Sequence, residues 1–473
     1  MSSPMSASTS TSTVPQWRLR AAFATRLSEM YGREVPAYTT LVDVSREVNE
    51  DVLGERGADA ERLGSIGRVT AERHGAIRVG TPEELSQVAR VFAAVGMHPV
   101  GFYDLREAAA SAVPVVSTAF RPVDGEELAR NPFRVFTSLL TPADPRFFGP
   151  DLRSRLENFL GARELFPQEL LTLADRAAAE GELREAQADR FLALAVSAFE
   201  LSPEPVDRAW YEELERASAV AADIGGVRST HINHLTPRVL DIDELYRRMT
   251  DRGIEMIDTI QGPPSWKGPD VLLRQTSFKA LAEPRAMRDP DGSVTSGALR
   301  VRFGEVEARG IALTREGRAL YDDVLGQVDQ RAAGHPPQRR GDIARAVWEE
   351  HMPADEGELA ARGLAHFTYE TVEGRSREGQ PPSPADELVR GGWVRARPIV
   401  YEDFLPRSAA GIFQSNLSGE GLSFGSGRIR ERGLVRAIAR RRREATRSVV
   451  DRRQRRERAC QAPRARPDPN DKP

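Results

Sequence analysis

The stretch His74-Gly-Ala-Ile-Arg78-Val-Gly-Thr-Pro-Glu-Glu-Leu85 aligns without gaps to His234-Leu-Thr-Pro-Arg238-Val-Leu-Asp-Ile-Asp-Glu-Leu245, with His, Arg, Val, Glu and Leu at identical spacing. What surrounds each copy is also alike. In the first, Glu72–Arg78 reads as a strand, and Thr81 then caps a helix with Pro82 at its first position and two acids in its first turn. That helix runs through Leu85, Val88, Val91 and Phe92 to a stop at Gly96. Strand patterns follow at His98–Tyr103, Val113–Phe120 and Phe133–Leu140. In the second copy, Thr230–Thr236 reads as a strand and Asp241–Arg252 as a helix stopped by Gly253. Strand-like runs follow at Ile254–Ile260, Val271–Phe278 and Leu299–Ile311. The chain therefore states β-α-β-β-β twice, and an internal repeat restricts the fold to like units packed together.

The remainder is arranged around these units. Residues 1–16 are Ser/Thr-rich without an apolar signal core and read as a disordered leader. Residues 17–145 hold N-terminal helices and the first unit, with apolar Leu19, Ala22, Phe23, Leu27 and Tyr31 at helical spacing. Residues 146–225 read as a helical insertion, 226–330 as the second unit, and 331–424 as a helical and loop region. Within that last region the apolar and aromatic run Arg397–Leu417 is expected to return to the core. Residues 425–473 form a basic tail. From Arg428 to Pro473 there are 16 Arg and one Lys against six acids, so the net charge of −3 over 473 residues conceals an acidic body and a basic end.

No apolar run approaches the roughly 18 residues that span a membrane. The lone cysteine, Cys460, allows neither an intrachain disulfide nor a cysteine metal site. We expect a cytoplasmic α+β protein with no membrane partner, in which any metal is held by imidazole and carboxylate.

Alternate residues of a strand share a face. His74 and Arg78 therefore lie on one face in the first copy, His234 and Thr236 in the second, and Phe303, Glu305 and Glu307 together on the last strand. Two acids beside a Phe in a buried strand need partners. A single strand histidine is most often an ordinary packed residue, and His98, His335, His351 and His366 are read that way. His74 and His234 differ because they occupy the same place in a repeat. With one carboxylate they make a 2-His-1-carboxylate set, which leaves coordination positions open and suits Fe(II), with Mn(II), Co(II) and Ni(II) as competitors.

The motifs ERHGAIRVGT, THINHLTPRVLDID, RFGEVEARGIALT and YEDFLPRSAAGIFQSNL resemble the 2-oxoadipate dioxygenase/decarboxylase family of the vicinal oxygen chelate superfamily. The resemblance extends from about Phe23 to Leu417. It implies two β-α-β-β-β vicinal-oxygen-chelate modules that form a central curved sheet around a metal site, with added helical segments. It also implies a non-haem Fe(II) enzyme of lysine breakdown that converts 2-oxoadipate and O2 into 2-hydroxyglutarate and CO2. Carried over by motif, His74, His234 and Glu305 are the implied catalytic residues and iron ligands. FGEVEAR further resembles the last strand of hydroxyphenylpyruvate dioxygenases, in which the first Glu is the ligand, and this favours Glu305 over Glu307. His231 competes with His234, and only His234 matches the His-x3-Arg register of the first copy. His74 and His234 would also touch substrate. Arg78 is the first candidate for the distal carboxylate, with an ion pair to a residue such as Glu307 as the plain alternative. The family also implies a contact near Arg407 and Ser408, where Arg stands in place of the expected small apolar residue. Gln275 and Ser277 are candidates for the pocket wall.

The basic tail has the charge of a nucleic-acid-binding arm but contains no aromatic residue for base stacking. It departs from the family and reads as a solvated appendage or a frameshifted end. Other metal chemistry on the same fold, an isomerase or lyase, and a nucleic-acid-associated scaffold are the competing readings.

Overall fold

Six of the seven residues of the strand Arg73–Val79 are buried, which places it inside a sheet covered on both faces. The structure is a computed structural model describing residues 12–403 except 72, 108–111, 337–338 and 373–384. It is an α+β protein with mixed sheets. The largest sheet has five strands in the order His98–Asp104, Val115–Arg121, Arg134–Leu140, Arg73–Val79 and His234–Pro237. Arg73–Val79 is parallel to Arg134–Leu140 and antiparallel to His234–Pro237.

The layer continues past His234–Pro237. Arg238 makes a parallel bridge to Glu307, Val239 N–H donates to the Glu307 carbonyl (2.9 Å), and Phe303 N–H donates to the Asn233 carbonyl (3.2 Å). The strand Glu305–Arg309 thus lies beside the His234 strand and pairs on its other side with Leu273–Ser277. His74, His234 and Glu305 stand on three neighbouring strands, spaced about 4.8 Å apart.

Alternation splits the sheet between two cores. Ile77, Val79, Val116, Phe120, Val135 and Leu139 face one apolar cluster, which includes Phe23, Tyr31 and Val44 of the long helices Gln16–Glu34 and Pro36–Arg56. Ala76, Ala119 and Phe136 face the other, with Leu156, Leu214 and Ile224 from the helices Pro150–Gly161, Arg208–Ala217 and Ala219–Gly225. On that second face His74, Arg78, Arg134 and Ser138 interrupt the apolar residues, and all four are buried. Burial of such groups requires partners.

The helix after each repeated strand begins at the equivalent residue. Thr81 Oγ1 accepts from Glu84 N–H (3.1 Å) while Glu84 Oε2 accepts from Thr81 N–H (3.2 Å), closing a capping box on Pro82–Ala94. Asp241 Oδ1 accepts from Glu244 N–H (3.0 Å) at the head of Ile242–Asp251. Glu84 and Glu244 are the paired glutamates of the repeated motif, both at the third helical position. Thr81→Ala is expected to cost about 1 kcal/mol, read by urea denaturation, with Thr81→Ser close to wild type.

Four expectations need correction. Thr13–Pro15 pairs with Glu182–Arg184 and a helix starts at Gln16, so the leader does not extend to residue 16. Ile254–Ile260 is not a strand: Met256 and Gln261 make isolated bridges to Phe278 and Gln275, and Gly262 (φ +101°) turns the chain immediately after. The expected strand at Thr230–Thr236 is shorter and later, at His234–Pro237. Leu299–Ile311 is not one strand. Val294–Leu299 pairs with Glu283–Arg288 in a hairpin, and the chain then crosses without regular structure to Glu305. Within that crossing the buried Arg302 guanidinium pairs with Glu283 and Glu34. The Arg-rich tail and Cys460 lie outside the described residues, as do most of the residues after Tyr401 in the segment expected to return to the core.

Candidate metal centre

A strand pair sets where His74 and His234 meet. Ala76 is opposite His234 and His74 opposite Thr236, so the two histidines are diagonal neighbours on one face. Their rings stand edge to face with centroids 5.3 Å apart. Glu305 reaches the same point from the next strand, its Oε2 3.3 Å from His234 Nε2. One ligand atom from each of His74, His234 and Glu305 lies within 4.8 Å of the others, and all three side chains are buried. Among the described residues this is the one such group of His, Cys, Asp or Glu.

Gly304 lets Glu305 enter here. A Cβ at that position would lie 2.0 Å from the Phe278 ring, so a side chain there would push the strand off its neighbour. Phe303 packs its ring 4.9 Å from that of His234, leaving the imidazole with an apolar neighbour.

The hydrogen-bond inventory supports a cation. Neither ring nitrogen of His234 has a hydrogen-bond partner among the described residues, and an orphaned buried nitrogen is costly unless something else engages it. Gln275 Nε2 donates to Glu305 Oε1 (2.5 Å). His74 is oriented from behind: its Nδ1 lies 3.0 Å from Glu307 Oε2, and Glu307 is held by Arg309. Burial pushes the His74 imidazole toward its neutral form, against the pull of Glu307. Burial and then the proximity of His74 push His234 the same way, well below the ordinary range. Neutral imidazole is the ligating form. Glu305 is pushed well above the usual carboxylate range, first by burial and then by Glu307, so a positive charge beside it would be strongly favoured. Two imidazoles and a carboxylate with these properties fit a divalent transition metal.

The other expected site residues fall differently. Arg78 pairs with Asp223, not with Glu307, and both side chains are buried. Asp223 also accepts from Asn233 Nδ2 (2.9 Å), and its Oδ1 lies 3.0 Å from His231 Nε2. His231 is thus turned to Asp223 and is not in the His74–His234–Glu305 group. Ser277 is buried, paired in register with Glu305. Arg407 and Ser408 lie outside the described residues.

Asp223 and Asn233 were not found from sequence. The signal for Asp223 was a lone acid in the apolar run AVAADIGGV, where burial demands a basic partner. Nothing in the run says which arginine that is.

Comparison with known proteins gives a consistent set of likenesses. The family model described as 2-oxoadipate dioxygenase/decarboxylase matches residues 23–416. A Mycobacterium tuberculosis protein named 2-oxoadipate dioxygenase/decarboxylase is 59% identical over 400 residues, covering 85% of this chain and 87% of the relative. A Pseudomonas putida protein of the same name is 42% identical over 425 residues, covering 87% and 90%. Among solved structures, hydroxyglutarate synthase from Pseudomonas putida in complex with 2-oxoadipate superimposes with a TM-score of 0.76 at 41% identity, covering 85% of this chain and 90% of that one.

Proposed function

The chain belongs to the 2-oxoadipate dioxygenase/decarboxylase family, and from that membership we propose that it is an Fe(II)-dependent enzyme that converts 2-oxoadipate and O2 into 2-hydroxyglutarate and CO2. The observation that carries the proposal is the buried His74–His234–Glu305 group, with both nitrogens of His234 lacking a hydrogen-bond partner among the described residues. We read the two repeated strand–helix units as paired vicinal-oxygen-chelate modules that bring one histidine each to a shared centre. Equivalent helix caps at Thr81 and Asp241 support that reading, as do the parallel pairings of Arg73–Val79 with Arg134–Leu140 and of Arg238 with Glu307.

His74, His234 and Glu305 would hold the metal. Bound Fe(II) would supply a chelation site for a 2-oxo acid and the redox chemistry that activates O2. The chain's own groups do the rest. The apolar wall at Phe303 limits water at the centre. Arg78, fixed by Asp223, takes the distal carboxylate through its guanidinium fork. The reaction balances without another reductant: the substrate's first carboxyl leaves as CO2, and both atoms of O2 end in the product. One becomes part of the new carboxylate and the other the 2-hydroxyl. We place this reaction in cytoplasmic lysine breakdown. Among the described residues no helix is long and apolar enough to cross a membrane.

The test is anaerobic reconstitution with Fe(II), addition of 2-oxoadipate, then admission of O2. The expected result is one O2 consumed and one CO2 released per 2-hydroxyglutarate formed. Bound iron with no O2 uptake would overturn the dioxygenase reading, and an isomerised or cleaved product without O2 uptake would replace it.

A further inference from the structure

Glu307 is two residues from Glu305 on the same strand and fully buried, yet its carboxylate is turned to different partners. Its Oε2 is 3.0 Å from His74 Nδ1. Its two oxygens accept from Arg309 Nε (2.6 Å) and Nη2 (3.0 Å), a bidentate pair inside the protein. Arg309 Nη1 also donates to the carbonyls of Tyr401 (2.9 Å) and Asp403 (3.2 Å). The same three-residue segment is gripped by other cations. Glu402 accepts from Arg68 and Arg134, and Asp403 Oδ1 accepts from Arg121 Nε (3.0 Å). Arg134 is the residue paired in register with His74.

We propose that Glu307 and Arg309 are positioning residues for the metal centre, fixing the tautomer and orientation of His74 and linking that imidazole to the backbone of Tyr401–Asp403. The inference rests on the metal-centre reading of His74, His234 and Glu305. A neutral imidazole carries one N–H. A carboxylate at Nδ1 accepts a hydrogen bond from that N–H, which holds the proton on Nδ1 and leaves Nε2 as the lone-pair donor. Arg309 keeps the Glu307 carboxylate aimed, because a fork with two parallel N–H donors fixes the plane of its partner where a lysine would not. The carbonyl contacts extend the same guanidinium to residues 401–403. A shift of that segment would therefore be felt at Glu307 and through it at His74.

Purified chain, stripped of metal, is titrated with Co(II) against a competing chelator without substrate. Glu307→Leu, which removes the acceptor, is expected to weaken Co(II) binding roughly 10- to 100-fold and to alter the visible cobalt spectrum. Glu307→Gln keeps an acceptor for Nδ1–H and is expected to recover part of that loss, remaining about three- to tenfold weak. Arg309→Lys is expected to weaken cobalt binding and to speed amide hydrogen exchange at residues 401–403. If Glu307→Leu does not fold, the Gln and Lys variants carry the test. Cobalt affinity within about twofold of wild type in the folded variants overturns the role of Glu307. Unchanged exchange at 401–403 in Arg309→Lys overturns the link to that segment. A wild-type chain that binds no Co(II) overturns the metal-centre reading and this inference with it, whereas equal binding by wild type and variants overturns this inference alone.

Discussion

Replacing His234 or Glu305 by Ala is expected to abolish O2 uptake with 2-oxoadipate and to weaken Fe(II) binding by more than the roughly 100-fold typical of losing an outer partner. The same two changes should cost the metal-free protein little stability. Among the described residues His234 has no hydrogen bond to lose, and Glu305 is a buried carboxyl with a raised pKa that accepts from Gln275. A group of that kind opposes folding until a cation joins it. Glu305→Gln, which removes the charge and keeps the volume, is therefore expected to melt at or above the temperature of the wild-type protein when both are metal-free. Addition of Fe(II) should then raise the melting temperature of the wild type alone, since a ligand that binds only the folded state stabilises it. His231→Ala separates the competing ligand assignments. It should retain metal binding, because the His231 imidazole is turned to Asp223. Wild-type iron affinity in Glu305→Ala, or loss of iron in a folded His231→Ala, would overturn the ligand set.

Much of the scaffold was legible because local chemistry fixes it. The Thr81-Pro82 start and the Asp241 start each place a helix within one residue, since a cap satisfies backbone donors that no other local group reaches. The strands from His98 to Leu140 were found for a similar reason: β-branched and aromatic runs bounded by turns leave few alternatives. The failures lie where long-range contacts override a local pattern. Ile254–Ile260 reads as a strand but holds a single isolated bridge, at Met256, and Leu299–Ile311 is interrupted between Leu299 and Glu305, where the buried Arg302 pairs with Glu34, 268 residues away in sequence. The site shows the same limit. His74 and His234 were marked by the repeat, and Glu305 by its resemblance to a known strand. Glu307 was visible only as a second acid, and its partnership with His74 spans 233 residues. Asp223 carries no motif, because what defines it is the arginine that folding delivers to it.

Asp223→Ala is expected to destabilise the folded chain by about 3–5 kcal/mol, the cost of removing the carboxylate that pairs with the buried Arg78 guanidinium. Chemical denaturation should show this as a lower midpoint with an unchanged slope. Arg78→Met combined with Asp223→Leu is expected to recover much of the loss, because removing both charges spares the desolvation of each. The stability term also has a pH signature. Burial pushes the Asp223 carboxyl up, but Arg78 and His231 outweigh it and hold it well below the ordinary value of about 3.9. Since the folded value lies below the unfolded one, the contribution is present above about pH 4 and is lost as pH falls through the folded value. Asp223→Asn should therefore show a shallower loss of stability in acid than wild type. The catalytic consequence differs from the structural one. If Arg78 holds the distal carboxylate, Arg78→Met should raise KM for 2-oxoadipate and lower kcat/KM by at least about 30-fold, the equivalent of losing about 2 kcal/mol or more of charge-assisted binding. A 2-oxo acid of equal length with a methyl in place of the distal carboxylate should lose nothing by that substitution. Equal losses for both substrates would mean that Arg78 and Asp223 support the fold and leave the choice of substrate to other residues.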